Sequence, residues 1–303
     1  MSDVQHLSRK ILLGPYTWLL LFVLLPLLIV LKISFSQTEL AQPPYSPVFD
    51  LSAGWTGQRA FFSALSADNY ASLWLDSLYR DSYVKSLIVA VVSTSLLLLI
   101  GYPIAYAAAR SSPAIRSIVL MLIILPFWTA FLIRVYAWMT ILQRDGLLNK
   151  ALVTLGIVNE PVAWLASDTA VIIGIVYSYL PFMILPLYAV LERIDDTLYE
   201  AAADLGATPW TTFWRVTVPL SAPGIVAGVL LCFIPIVGEF VIPDLLGSSS
   251  TMMIGQTLWM EFFANRDWPL ASAVAIVMLL ILLAPIALYQ HMQGRALQRE
   301  LHT

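Results

Sequence analysis

The chain has 303 residues, of which 59% are hydrophobic and 12% charged. A soluble domain carries about a quarter charged residues, so this composition excludes a surface that faces water throughout and makes lipid the solvent for much of the chain. The formal net charge of −3 argues against nucleic acid as a partner. Cys232 is the only cysteine, which excludes an intrachain disulfide and a cysteine metal cluster, and His6, His291 and His302 sit near the termini.

Residues 1–14 read as a cytoplasmic N-terminus. Arg9 and Lys10 precede an apolar run that is too long for a signal peptide and lacks a small-x-small cleavage site, so it reads as a first span that stays in place. Residues 15–303 then form a single membrane-spanning domain, an all-α six-span helical bundle. The apolar windows fall at 15–34, 84–108, 117–142, 169–190, 222–242 and 269–289, each close to the roughly 20 residues a bilayer requires. A polar loop, 36–82, separates the first two windows and reads as periplasmic. A loop at 191–221 separates the fourth and fifth.

Sidedness follows from Lys and Arg placement. The larger set, Arg9, Lys10, Arg110, Arg116, Arg193, Arg215, Arg295 and Arg299, falls on one side, against Arg59, Arg80, Arg144, Lys150 and Arg266 on the other. Both termini are therefore expected in the cytoplasm. Every window holds a proline: Pro26, Pro103, Pro126, Pro181 with Pro186, Pro235, and Pro285. Each proline removes a backbone donor and bends its helix; their recurrence favours a bundle that opens around a pathway.

The 191–221 loop carries the most local information. Thr197-x-x-Glu200 has the form of a capping box, alanines follow, and Gly206 stands where a left-handed residue would end the helix. Thr208-Pro209 has the form of a second helix start, with Thr as cap and Pro in the first turn, and Pro219 is expected to end that helix ahead of the fifth span. Two short helices joined at a glycine are expected. A plain linking hairpin accounts for Glu200, Gly206 and Pro209, but not for the low ridge of Ala201, Ala202 and Ala203.

Glu200-Ala201-Ala202, three residues, Gly206, nine residues, Val216, one residue, then Val218-Pro219 resembles the signature of permease subunits of bacterial ATP-binding-cassette importers. Val stands where Ile and Leu are more usual, which keeps the aliphatic character. The resemblance implies that this cytoplasmic loop is a coupling helix seated on an ATPase subunit, with Glu200, Ala201, Ala202, Asp204, Gly206, Ala207 and Pro209 as docking residues. The chain has no G-x-x-x-x-G-K-[ST] phosphate loop. It is expected to be non-catalytic and to hold no metal or cofactor, with ATP and Mg on the partner ATPase.

Residues 124–138, 238–247 and 265–269 look like segments of putrescine/spermidine importer permeases, and the Pro43-Pro44-Tyr45 loop brings the putrescine type nearest. That resemblance implies a second permease subunit, two ATPase subunits, a periplasmic polyamine-binding protein and a bacterial inner-membrane location. A polyamine carries an ammonium at each end of an alkyl chain, so its path calls for carboxylates and aromatic faces. Trp128, Tyr136, Glu239 and Asp244 are the path candidates, and Glu39, Asp50, Asp68, Asp76 and Asp81 would make the first loop attractive to cations. Each has a plainer reading. Trp128 and Tyr136 read equally as interface anchors, and Glu239 as a contact for the partner permease or the binding protein. Arg134 reads as snorkelling or paired, and Asp267 as an ion pair with Arg266 or a helix cap. The alternatives are another small solute in the same importer class, or an ion-coupled secondary transporter, which calls for paired midplane charges that are not evident.

Overall fold

The computed structural model describes residues 14–49 and 54–300; residues 1–13 and Asp50, read above as cytoplasmic N-terminus and loop acid, lie outside the described residues. In chain order come α1 (Gly14–Ser34), a two-stranded antiparallel hairpin of β1 (Gln37–Thr38) and β2 (Tyr45–Ser46), and α2 (Gly54–Ser63). Next are α3 (Asp68–Leu75), α4 (Ser77–Arg110), α5 (Pro113–Trp128), α6 (Phe131–Leu142) and α7 (Leu147–Thr154). The rest are α8 (Asp168–Leu191), α9 (Thr197–Asp204), α10 (Pro209–Val237), α11 (Val241–Leu246), α12 (Ile254–Trp259) and α13 (Trp268–Glu300). Among the described residues, α1, α4, α8 and α10 are long and apolar enough to cross a bilayer, and α13 adds an apolar stretch at Trp268–Ala284.

Two windows are not straight helices. The 117–142 window is bent by 94° between α5 and the helix after it. Pro126 tightens the end of α5 into a 3₁₀ turn over Leu125–Trp128, and Thr129 and Ala130 are extended. The 222–242 window stops at Val237, because Gly238 and Glu239 interrupt the backbone ladder before α11. α10 begins well ahead of its window, at Pro209. Pro219, expected to end a short helix, lies inside this continuous one. The chain accommodates it by a π turn at Phe213–Thr217, where the Val218 amide reaches back to the Phe213 carbonyl, a widening that relieves the missing proline donor.

The chain divides into two compact units, one of residues up to 80 with those from 257, the other of residues 81–256. In the first, the carbonyls at the end of α1 are taken by a side chain. Asn69 Nδ2 donates to Ser34 O at 2.9 Å and Ser36 O at 2.8 Å, and Ser34 Oγ lies 2.6 Å from Tyr70 Oη. That satisfies groups a helix C-terminus leaves orphaned. Asp267 proves to be a cap: its Oδ1 accepts from the Leu270 amide at 3.0 Å and from Thr38 Oγ1 at 2.6 Å. After α12 a π turn, Met260–Ala264, carries the buried Glu261, which accepts from Tyr79 Oη and Asn265 Nδ2, both at 2.8 Å.

In the second unit α8 packs along α10. Its buried side chains include Ile175, Met183, Ile184, Leu187 and Leu191, which meet a partner helix with Gly224, Gly228, Cys232 and Ile236 on its buried face. α11 crosses α8 where Gly174 leaves room, since a Cβ there would stand 2.6 Å from Leu246 Cδ1 and 2.9 Å from Ile242 Cγ2. Lys85 donates to Asp168 at 2.5 Å and Arg116 to Glu192 at 2.6 Å, fixing α4 and α5 to the two ends of α8.

Candidate functional site

The loop between α8 and α10 forms the helix the sequence calls for, but starts it differently. Thr197 is the first helical residue rather than the cap, and no side-chain bond of the Thr197–Glu200 box is present. Asp195 takes over: its Oδ1 accepts from the Thr197 amide at 3.0 Å. That hydrogen bond holds the Asp195 carboxyl below the usual carboxylate range.

The end of α9 is as expected. Gly206 sits at φ +76°, its amide bonds to Ala203 O at 2.8 Å, and the Ala207 amide reaches Ala202 O at 2.9 Å. This pair of bonds is a Schellman motif, which closes orphan carbonyls through a left-handed residue. Thr208 then caps α10 by accepting from the Thr211 amide at 3.3 Å, with Pro209 in the first turn. Around that corner Glu200, Ala201, Asp204 and Pro209 are exposed, and Ala202 and Ala207 are half-buried. Leu205 is 89% exposed and Trp210 71%. A rigid, capped corner presents small, acidic and apolar side chains together.

Of the four path candidates, Glu239 has the most built surroundings. Its side chain is buried in the break between α10 and α11. Oε2 accepts from Tyr179 Oη at 2.6 Å, and Oε1 accepts from the Val241 amide at 3.1 Å and the Ile242 amide at 3.4 Å. Tyr179 continues into an aromatic run: its ring centroid is 6.0 Å from Phe182, which meets Phe127 edge-on at 5.2 Å, and Arg134 Cζ stands 4.8 Å over the Phe127 ring. Arg134 therefore rests on aromatic faces; its Nε and Nη1 are buried without a hydrogen-bond partner. Trp128 is 80% exposed and Tyr136 52%, and Asp244 is exposed on α11. Among the described contacts, only Glu239 of the four joins the run.

A cleft of about 540 Å³ in the first unit is lined by Pro43, Pro44, Phe262, Trp268 and Arg266, among others. The arginine makes it a poor seat for a cation.

Truncating Glu239 leaves the Tyr179 hydroxyl and two amides without their acceptor. Glu239→Ala is expected to destabilise the purified protein by about 1–3 kcal/mol, read as a lower unfolding temperature in detergent. Glu239→Gln keeps an oxygen for the amides and is expected to lose less than half as much. Equal losses would show that the acceptor does not matter.

Several helices long and apolar enough to cross a bilayer, a break at Pro126 and a capped helix exposed in one loop mark a membrane-spanning protein. Residues 98–296 match the family described as the inner membrane component of binding-protein-dependent transport systems, and the chain belongs to that family. It is 38% identical over 290 residues to the spermidine/putrescine transport system permease protein PotB of Haemophilus influenzae, covering 95% of each chain. It is 39% identical over 265 residues to the protein of the same description in Escherichia coli, covering 88% of this chain and 90% of that one. A crystal structure of a bacterial alginate ABC transporter, in complex with its alginate pentasaccharide-bound periplasmic protein, contains a chain with the same fold. Its TM-score is 0.70 at 20% identity, over 97% of each chain.

Proposed function

We propose that this chain is the permease subunit of an ATP-binding-cassette importer, forming with a second permease the path by which polyamines enter the cytoplasm. The observation that carries the reading is likeness along nearly the full length to two permeases described as spermidine/putrescine carriers. The Glu239 carboxylate, buried in the break between α10 and α11, supports it, since a carboxylate attracts an ammonium group; the other end of the aromatic run is already covered by the Arg134 guanidinium. The chain sits in the bacterial inner membrane with both termini in the cytoplasm. The corner at 197–209 docks one of two ATPase subunits through Glu200, Ala201, Ala202, Asp204, Gly206, Ala207 and Pro209. ATP and Mg belong to those subunits, so this chain is non-catalytic and needs no cofactor. A periplasmic binding protein delivers the polyamine to the opposite side.

The test is uptake by the whole complex in liposomes charged with ATP. Labelled putrescine or spermidine is expected to accumulate only when ATP and the binding protein are both present. Uptake of an anion in place of either polyamine would overturn the cargo.

A further inference from the structure

Three side chains spaced four residues apart on α4, Tyr102, Tyr106 and Arg110, share one helix face, and each meets the segment that carries the docking corner. Tyr102 Oη lies 2.9 Å from Ser221 Oγ, and its ring meets Phe213 edge-on at 5.6 Å. Tyr106 meets Phe213 edge-on at 5.8 Å. Phe213 opens the π turn of α10, a type of irregularity frequent at functional sites.

Arg110 makes the link to α9 itself. It pairs with Asp196 just before that helix, and its guanidinium carbon stands 4.0 Å over the ring of Tyr199 in the first turn. Tyr199 in turn accepts a hydrogen bond from Thr217 Oγ1 at 3.2 Å, and Thr217 is fully buried at the end of the π turn. The Asp196 side chain is 82% exposed, so solvent screens that ion pair. The guanidinium itself is mostly covered, and its Nε and Nη2 are buried with no hydrogen-bond partner. A planar cation in that setting is held chiefly by the aromatic face. Arg116 is different: it bonds to Glu192 at the end of α8 and to Ala109 O, and so anchors the α4–α5 turn rather than α9.

We propose that Arg110 is a positioning residue that ties α9 to α4, so that displacement of the docking corner moves α4 and the π turn of α10 together. It rests on the reading of 197–209 as the ATPase-docking corner. Without the stack, α9 still docks but moves without carrying α4. Hydrolysis then continues while transport fails to follow.

The test uses the reconstituted complex and reads polyamine taken up per ATP hydrolysed, beside co-purification of the ATPase. Arg110→Ala and Tyr199→Leu are each expected to keep the ATPase bound and lower that ratio by roughly five- to tenfold, the scale on which single residues alter coupling. The double variant is expected to be no worse than either single one, because both remove the same contact. Tyr199→Phe, which restores the ring, is expected to recover most of what Tyr199→Leu loses. Tyr199 is half-buried on the loop, and the comparison of Tyr199→Leu with Tyr199→Phe gives the answer if Arg110→Ala fails to accumulate. An unchanged ratio in Arg110→Ala and Tyr199→Leu would overturn the proposal, as would loss of uptake and of bound ATPase in equal proportion. The docking reading fails separately, if Glu200→Lys leaves ATPase co-purification at the wild-type level.

Discussion

Gly206→Pro is expected to abolish ATP-driven uptake while the chain still inserts into the membrane. Gly206 holds φ at +76°, a value that proline, fixed near −65°, cannot reach. Proline also deletes the amide that bonds to Ala203 O at 2.8 Å. The corner between α9 and α10 would then open, and Glu200, Ala201 and Asp204 would lose their fixed relation to Pro209. Nothing lies within 4 Å of a Cβ built at Gly206, so the loss would come from backbone geometry and not from crowding. Asparagine separates the two causes: it tolerates the left-handed region, and Gly206→Asn is expected to retain most uptake. Alanine, which costs about 1–2 kcal/mol in that conformation, is expected to fall between. Membrane-fraction yield, ATPase co-purification and uptake are the three readouts. Wild-type co-purification in Gly206→Pro would mean that the corner does not dock the ATPase.

That corner was the most legible part of the chain, because the chemistry that makes it is local. A glycine after an alanine run and Thr-Pro two residues later determine a stop and a restart without help from the rest of the fold. The start of α9 differs from the expected one for a local reason. Asp195 takes the Thr197 amide that Glu200 would accept in a capping box, and the Asp196 carbonyl takes the Glu200 amide that the Thr197 hydroxyl would accept. The bend in the 117–142 window was hidden because a hydropathy window averages over apolar residues, and the residues around Pro126 are apolar whether or not they are helical. Glu239 could be singled out as a charge near a span end, but not its acceptor role, since Tyr179 comes 60 residues earlier. Glu261 carries no local sign of its role. It looks like an ordinary loop acid until Tyr79, 182 residues away, is placed against it. The Arg110 stack was invisible for the same reason: four-residue spacing marks a helix face but not what lies across from it.

The second large effect is expected at Gly224, where a bulky side chain would part α8 from α10. Gly224 and Gly228 are four residues apart on the buried face of α10, a small-xxx-small spacing that lets two helix backbones come close. In lipid that approach matters more than in water, because the surroundings are as apolar as the helices and packing supplies the attraction. The two glycines are not equivalent. A Cβ at Gly228 would stand 2.8 Å from Met183 Sδ, the movable end of a flexible side chain, with Met183 O at 3.2 Å. A Cβ at Gly224 would stand 3.0 Å from Pro186 O and 3.1 Å from Val190 Cβ, both fixed by the α8 backbone. Gly228→Ala is therefore expected to cost no more than about 1–3 kcal/mol, the usual range for overpacking. Gly224→Leu must displace backbone over several residues, and is expected to leave little monodisperse protein after size-exclusion chromatography in detergent. Because Pro181 and Pro186 already interrupt the α8 ladder, that helix has fewer backbone bonds with which to resist the displacement. A Gly224→Leu protein as monodisperse and as heat-resistant as the wild type would show that α8 and α10 do not depend on this close approach.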